Sequence, residues 1–203
     1  MKKGNVKSIR AVLKNISDKE RIDFQLIVIR YLHERFLYRV SVSAYAKHFF
    51  LKGGILLFAI KGLHIRPTVD IDMLAIQLSN DKEQLHRIFQ TICSIEYDDD
   101  CVIFNIDSIK TEDIAADAKY SGVRILIDAG LDTIRQQLQI DIGFSDVITP
   151  APVNLVYPTL LSELAQPFQI GAYSIETVVA EKFHAMIALG VFNSRMKDFY
   201  DVY

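Results

Sequence analysis

Two segments of this chain alternate strictly between apolar and polar residues, and this alternation limits what the chain can fold into. One segment reads VDIDM at residues 69–73, and the other reads LQIDIG at residues 138–143. Because successive side chains of a β-strand point to opposite faces of its sheet, both segments are predicted to be strands with one buried and one polar face. The polar faces carry Asp70 and Asp72 in the first segment and Asp141 in the second.

Three acidic side chains on these strand faces point to a metal site. Two carboxylates on one strand face repel each other, and folding alone gives no reason to bring them together. A divalent cation converts the repulsion into coordination, and Mg²⁺ prefers hard oxygen ligands with water and phosphate completing its shell. We therefore expect Asp70, Asp72 and Asp141 to act in catalysis by binding one or two Mg²⁺ ions. Asp146 is a rival for the third position, but it follows the predicted strand, whereas alternation orients Asp141.

The remaining pattern predicts an α/β (α+β) fold, with a small mixed β-sheet flanked by helices. Further short strands are expected at HFFLK, CVIFNI and VRILIDA, close enough together for a largely antiparallel or mixed sheet. Helices are expected to begin at a capping box at residues 17–20, after the glycine pair at 53–54, at Asn80 and at Ser174. The prolines of residues 150–158 are expected to mark an irregular crossing.

The predicted domain organisation has two parts. Residues 1–48 form an N-terminal helical arm, and residues 49–203 form the main domain, in which a helical region begins after residue 174. The chain ends seven residues after Met196, so its last helix would be too short to be stable alone. We therefore expect a C-terminal helical part to be truncated.

A glycine pair precedes the first acidic strand. Glycines between a strand and a helix let phosphates approach the backbone N–H groups of the helix N-terminus, although such a pair also suits a simple tight turn. In a strand that is regular from residue 66 onward, an arginine and a threonine share the face of the two aspartates. The predicted nucleotide-binding residues of this region are Gly53, Gly54, Arg66 and Thr68.

Charged residues near the C-terminus add to this set. Lys182 lies on an otherwise apolar helix, on the same stripe as Val178 and Ala185. A cation in such a place has an anionic partner, which can be a triphosphate, Asp198 or a carboxylate of the triad. We expect Lys182 to bind phosphate and to serve in catalysis. Arg195 can grip phosphate bidentately or lie exposed, and Asp198 can orient Lys182 or pair locally.

The net charge is unevenly distributed. Residues 1–50 hold 11 Lys and Arg against 4 Asp and Glu, whereas residues 51–203 hold 12 against 21. A basic arm before an acidic body can guide a polyanionic RNA, or it can be a solvated helix. The candidate RNA-contacting residues are Lys2, Lys3, Lys7, Arg10, Lys14, Arg30, Arg35, Arg39 and Lys47.

The sequence predicts a cytoplasmic protein with no membrane partner. No stretch reaches the roughly 18 apolar residues that a membrane-spanning helix needs. The N-terminus carries no apolar segment of the kind found in secretory signals. Cys93 and Cys101 are read as reduced thiols.

The order of these motifs is similar to that of DNA polymerase β-like nucleotidyltransferases, in which a glycine pair precedes an Asp-x-Asp strand and a later aspartate. More narrowly, the chain resembles the AbiEii/AbiGii family of bacterial toxin nucleotidyltransferases over residues 50–201. The family's lysine motif matches Glu181-Lys182. Its arginine/lysine–aspartate motif matches Arg195, Lys197 and Asp198.

The resemblance implies a Mg²⁺-dependent enzyme that transfers a nucleoside monophosphate from an NTP to an acceptor hydroxyl, with tRNA 3′ ends as acceptors in some relatives. It also implies the toxin of a toxin–antitoxin or abortive-infection system, so an antitoxin is an expected partner. Such proteins usually continue into a C-terminal helical region. Two other classes stay open, namely a catalytically silent nucleotide- or partner-binding module and a metal-dependent nuclease.

Overall fold

The computed structural model describes residues 5–63, 65–114, 122–145, 148–190 and 196–202. Within these residues, seven strands form one mixed sheet in the order β3-β4-β5-β2-β1-β7-β6. The strands are β1 (Phe49–Lys52), β2 (Asp70–Ala75), β3 (Val102–Ile114), β4 (Gly122–Leu131), β5 (Ile134–Phe144), β6 (Val153–Tyr157) and β7 (Phe168–Ala172).

The pairing of β2 with β5 places the acidic segments side by side. These two strands are parallel, as are β1 and β7, whereas the other neighbours are antiparallel. The register of β2 and β5 sets Asp72 directly opposite Asp141. The chain between them supplies the long crossover that a parallel pair requires. The predicted α/β (α+β) class, with a mixed sheet flanked by helices, is therefore confirmed.

Helices surround the sheet, and α2, α3 and α4 pack against its strands. None of the described helices is both long and apolar enough to cross a bilayer. A short 3₁₀ helix (Ala46–His48) precedes β1. The α-helices are α1 (Val6–Glu20), α2 (Phe24–Val42), α3 (Gly53–Lys61), α4 (Lys82–Cys93), α5 (Ile175–Leu189) and α6 (Met196–Val202).

The helix predicted to start at the capping box of residues 17–20 begins elsewhere. Ser17 lies inside α1, where its hydroxyl donates a hydrogen bond to the carbonyl of Ile22. The N-cap of α2 is Asp23, whose carboxylate accepts from two backbone N–H groups of the first turn. The capping-box prediction at residues 17–20 was therefore wrong. An N-cap residue needs a non-helical backbone conformation and a position next to the free N–H groups of the first turn. Asp23 has both properties.

Several cations assigned to the N-terminal arm are buried. The side chains of Arg30, Arg35 and Arg39 belong to residues that are 4%, 0% and 2% exposed. Arg39 pairs with Asp100 at 2.7 Å, and Arg30 donates to the carbonyl of Leu63 at 2.9 Å. These three arginines were wrongly predicted as RNA contacts, because α2 is a core helix whose charged groups find partners inside the protein.

Other cations of the arm remain on the surface. Lys7, Arg10, Lys14 and Lys47 are exposed, while Lys2 and Lys3 lie outside the described residues. The apolar face of α1 is buried in the same core as the sheet. The division at residues 48 and 49 therefore stays a prediction, since the hydrophobic core is continuous across it.

The proline-containing segment is more regular than predicted. Residues 153–157 form β6, which pairs antiparallel with β7. Pro152 and Pro158 flank β6 at its two ends, where a missing N–H does not interrupt the ladder. The predicted irregular crossing thus contains one strand, β6, which lies at the edge of the sheet.

Candidate active site

Three carboxylates converge at the centre of the sheet. Asp70 and Asp72 lie on β2, and Asp141 lies opposite Asp72 on β5. One carboxylate oxygen from each residue lies within 4.8 Å of the other two. Ile71 and Ile140, which alternate with them, are fully buried in the core. Strand alternation therefore predicted this convergence, while the role of the three residues as metal ligands stays a prediction.

Asp72 carries a charge that its surroundings disfavour. Burial raises the pKa of Asp72 to about 6, and the charges of Asp70 and Asp141 act in the same direction. The lysines Lys52 and Lys197 oppose this shift. Bringing a divalent cation into the cluster would relieve the same repulsion. Clustered carboxylate oxygens are also the donors that Mg²⁺ prefers, so the residues present fit this ion.

The glycine pair touches the triad directly. Gly53 has a φ of +65°, a left-handed conformation that favours glycine, and a Cβ there would overlap the Asp72 carboxylate. At Gly54 a Cβ would lie 3.0 Å from Thr68 Oγ1 and 3.3 Å from Arg66 Nη2. Because α3 begins at this pair, the unpaired N–H groups of its first turn lie beside the carboxylates.

The segment before β2 departs from the predicted regular strand. β2 begins at Asp70, so alternation does not extend back to residue 66. Thr68 still contacts the triad, because its hydroxyl lies 3.4 Å from Asp70 Oδ1. Arg66 turns towards α6 and donates two hydrogen bonds of 2.6 Å to Asp201.

Four charged side chains connect this segment to α5 and α6, and we call them the α6 network: Arg66, Lys182, Asp198 and Asp201. The Nζ of Lys182 lies 2.8 Å from Asp201 Oδ2 and 3.1 Å from Asp198 Oδ1. Both carboxylates are buried, with side chains 0% and 1% exposed. The anionic partners of Lys182 in this structure are therefore the two aspartates of α6. Because Arg66 also borders Gly54, the network reaches the glycine pair.

Sequence reasoning missed Asp201 although a signal was present. Asp198 and Asp201 are three residues apart on α6, a spacing that places both side chains on one helix face. The buried Lys182 needs an anionic partner, and this face offers two. Arg66 and Lys182 hold Asp201 ionised and lower its pKa, although burial acts in the opposite direction.

Sequence reasoning also missed Arg124, which lies on β4. Its Nε and Nη2 each donate to a different oxygen of Asp141, both at 2.8 Å. The antiparallel register sets the two residues opposite each other. Gln139 adds contacts of 3.2 and 3.3 Å to the same two oxygens. The hydrogen bonds with Asp141 raise the pKa of Arg124. No local sequence signal identifies this pair, because it depends on which strands are neighbours.

Lys52 is a further cation at the site. It is the last residue of β1 and lies opposite Asp72 in the antiparallel pair. Its Nζ lies 3.4 Å from Glu181 and 5.5 Å from the centre of the Tyr173 ring. Two residues considered in the sequence analysis, Arg195 and Asp146, lie outside the described residues.

The sequence matches the model of one protein family. This family is described as "Nucleotidyl transferase AbiEii toxin, Type IV TA system", and the match covers residues 35–203. The matched range includes the triad, the glycine pair and the α6 network. Comparison with curated proteins finds no match.

Two solved structures from Helicobacter pylori are similar to this chain. The structure of JHP933 superposes with a TM-score of 0.57 at 17% sequence identity, covering 88% of this chain and 64% of that chain. A putative nucleotidyltransferase superposes with a TM-score of 0.56 at 18% identity, covering 89% of this chain and 67% of that chain. At these identities the likeness is one of fold. The chain spans about two thirds of the length of both proteins.

Proposed function

Because this chain belongs to the AbiEii nucleotidyl transferase toxin family of type IV toxin–antitoxin systems, we propose that it transfers a nucleoside monophosphate from an NTP to an acceptor hydroxyl. The observation that carries the proposal is the convergence of Asp70, Asp72 and Asp141 within 4.8 Å, beside a glycine pair that abuts Asp72. A carboxylate cluster next to a glycine turn at a helix N-terminus suits a triphosphate and its divalent cations.

The triad is the proposed Mg²⁺ site, for one or two ions. A bound ion would supply Lewis-acid stabilisation of the phosphate charge that develops during transfer. Burial, followed by the charge of Asp70, raises the pKa of Asp72, and a bound cation would favour its ionised form. The hydroxyl of Thr68 contacts Asp70 at 3.4 Å and helps to orient its carboxylate.

The proposed triphosphate site lies between the glycine pair and the α6 network. The N–H groups at the start of α3 and the hydroxyl of Thr68 offer hydrogen-bond donors, and Arg66 and Lys182 offer positive charge. Asp198 and Asp201 hold both cations in place. Arg195, within the matched family range, completes the proposed nucleotide-binding set.

The proposed reaction is an in-line displacement at the α-phosphorus. A bond forms between the acceptor oxygen and this phosphorus while the bond to the bridging oxygen breaks, and pyrophosphate leaves. The acceptor proton passes to a carboxylate oxygen of the triad. The family further supports an antitoxin as partner, and RNA such as a tRNA 3′ end is the proposed acceptor.

The proposal is tested by incubating the protein with α-³²P-labelled NTPs, Mg²⁺ and total RNA. We expect label to appear on an acceptor and to disappear with EDTA or in Asp72→Asn. The matched control is Asp107→Asn, at an exposed aspartate of β3, which should transfer label like the unmodified protein. Unchanged label transfer in Asp72→Asn would contradict the proposed site.

The same assay separates the two rival classes. A silent binding module would retain labelled NTP on a filter without covalent transfer. A metal-dependent nuclease would shorten the RNA in the absence of NTP. Either result in place of label transfer would replace the nucleotidyltransferase assignment.

A further inference from the structure

The guanidinium of Arg124 lies inside the acidic cluster and neutralises one of its three carboxylates. Both donor nitrogens that face Asp141 are 2.8 Å from its two oxygens, so the pair is bidentate. Charge-assisted bidentate pairs are the strongest hydrogen bonds that a carboxylate makes with a side chain. Both oxygens that Asp141 would offer to a metal ion are therefore already occupied by protein donors.

The carboxylates of Asp70 and Asp72 have fewer compensating charges than that of Asp141. Asp70 and Asp72 share one face of β2, and neither forms a salt bridge with a described residue, whereas Asp141 is paired with Arg124. The lysines that act on Asp72 are Lys52, whose Nζ is also 3.4 Å from Glu181, and the exposed Lys197. The cluster thus has a neutralised side at β5 and an uncompensated side at β2. Two uncompensated carboxylates match the charge of one divalent ion.

Arg124 is able to leave this position. The side chain of Arg124 is 35% exposed, and the side chain of Asp141 is 19% exposed. The guanidinium therefore has access to solvent. A triphosphate entering the cluster would bring more negative charge than Asp141 carries, and guanidinium groups bind phosphate in the same bidentate manner.

We propose that Arg124 is a built-in cation that competes with the second metal ion for Asp141. This inference rests on the proposed metal site. In the protein without nucleotide, one divalent ion binds at Asp70 and Asp72 while Arg124 occupies Asp141. Asp141 becomes available to a further ion when the phosphates of the nucleotide take over the guanidinium. Arg124 therefore makes the fully loaded metal site dependent on the nucleotide.

Metal binding in the absence of nucleotide tests this inference. Mn²⁺ is titrated into the protein and followed by electron paramagnetic resonance and by calorimetry. We expect one ion at the site of the unmodified protein. Arg124→Gln, which removes the charge and keeps a chain of similar polarity, should bind a second ion or bind Mn²⁺ about tenfold more tightly, because a nearby positive charge has been removed.

Two further variants test whether the effect on Mn²⁺ binding comes from the charge and geometry of Arg124. Arg124→Lys keeps the charge but loses the bidentate geometry, so its Mn²⁺ affinity should lie between those of the unmodified protein and Arg124→Gln. Arg87→Gln is the matched control, because it removes an arginine that is 69% exposed on α4 and should leave Mn²⁺ binding unchanged. Thermal melting of each variant verifies that it is folded.

The opposite outcomes overturn the proposal. If Arg124→Gln binds Mn²⁺ about 10–100-fold more weakly, Arg124 supports Asp141 as an outer partner of a metal ligand and does not compete with the ion. If affinity and stoichiometry are unchanged in Arg124→Gln, Arg124 has no influence on the metal. If Asp72→Asn leaves Mn²⁺ binding intact, the proposed metal site itself is wrong, whatever the Arg124 variants show.

Discussion

Gly53 leaves open the space that the Asp72 carboxylate occupies. The left-handed φ of +65° at Gly53 lets β1 turn into α3, and the absence of a side chain leaves room for the Asp72 carboxylate. The two effects are separable. Backbone strain arises from the φ angle alone, whereas overlap with Asp72 arises from the position of the missing Cβ.

Gly53→Ala is therefore expected to harm the site more than strain alone would. The left-handed conformation destabilises a non-glycine residue by roughly 1–2 kcal/mol, and the new methyl group also displaces Asp72. We expect metal-dependent label transfer to fall at least tenfold together with this loss in the free energy of unfolding. Gly190→Ala is the matched control, because Gly190 has a φ of +50° with nothing within 4 Å of the added Cβ. Equal transfer activity in the two variants would argue against contact between Gly53 and a functional Asp72.

Single residues differ in how far the sequence reveals them. Asp70, Asp72 and Asp141 were predictable because alternation within a strand is a local property. Arg124 was not, since its partner is defined by the register between β4 and β5. Asp201 lies between these cases. Its helical spacing from Asp198 was visible in the sequence, but its contacts with Arg66 and Lys182 depend on how α6 packs.

Helix α6 is held against the rest of the protein by buried ion pairs. It spans seven residues, too few for a stable isolated helix. Its buried carboxylates at positions 198 and 201 each contact Lys182 of α5, and Asp201 also binds Arg66 ahead of β2. Docking of α6 and the position of the segment before β2 are thus joined by one set of charges.

Lys182→Met should loosen α6 as well as remove a proposed phosphate contact. The variant leaves two buried carboxylates without their shared cation, which typically lowers the free energy of unfolding by about 3 kcal/mol. Urea denaturation measures the loss. Lys61→Met, at an exposed lysine of α3, is the control and should change stability little. A Lys182→Met protein of unchanged stability would show that the α6 network contributes nothing to packing.

Elements with a strong periodic pattern were predicted well, and boundaries and edge strands were not. The segments of β1, β2, β4 and β5 and the helices α3, α4 and α5 follow from apolar periodicity and caps such as Ser174. β6 was missed because an edge strand can be short and tolerates prolines at its ends. β7, which lies between β1 and β6, was missed because its five residues give only a brief alternation. The helical arm predicted for residues 1–48 contains α1 and α2, but the bounds of α1 were not predicted, because the capping-box pattern at its C-terminal end was read as a helix start.

The whole molecule has one continuous core that includes charged groups of α2. Glu34 is 1% exposed and accepts a hydrogen bond of 2.7 Å from the backbone N–H of Leu160. Arg35 lies 3.2 Å from its other oxygen and packs on the Tyr38 ring at 5.0 Å. Burial nevertheless raises the pKa of Glu34 to about 7, against the opposing effect of Arg35.

This buried carboxyl group predicts a pH dependence of global stability. The unfolded chain loses the Glu34 proton near pH 4.5, while the folded protein keeps it until about pH 7. Between these values the folded state binds the extra proton, so this group's contribution to the free energy of unfolding falls as pH rises, by on the order of 3 kcal/mol. Denaturation at several pH values measures this fall as the difference between the unmodified protein and Glu34→Gln, because buried His33, whose pKa is lowered to about 4, acts in the opposite direction.

Glu34→Gln should remove that contribution, because glutamine has no proton to lose. Glu163→Gln, at an exposed position, is the control and should keep the pH profile of the unmodified protein. Parallel stability profiles for Glu34→Gln and the unmodified protein would contradict the assigned pKa.

Part of the basic stretch predicted to contact RNA lies on the surface that the structure describes. Among the cations predicted to form it, Lys7, Arg10, Lys14 and Lys47 are exposed, and two of these already have acidic neighbours at 3.4 and 2.6 Å. If α1 guides an RNA acceptor, charge reversal at Lys7, Arg10 and Lys14 should weaken RNA binding. Each lost phosphate contact should flatten the log–log dependence of binding on salt by about 0.7.

A second charge-reversal variant supplies the comparison for this experiment. Lys61→Glu, Lys82→Glu and Arg87→Glu together change the net charge equally at exposed sites away from α1. Filter binding of labelled tRNA at several salt concentrations measures both variants. Identical salt slopes for the two would mean that RNA responds to the net charge of the protein and makes no specific contact with α1.

The pairing of β1 with β7 has a consequence for the timing of synthesis. Leu51 lies beside Ala172, and Arg66 contacts Asp201, so strands and charges that the ribosome makes first wait for partners that it makes much later. Asp72 likewise waits for Asp141. The triad is therefore incomplete until Asp141 has been synthesised, and the α6 network is incomplete until Asp201 has been synthesised. For the proposed toxin activity, the interval between the last of these contacts and the first turnover is the time in which a neutralising partner made beforehand can act.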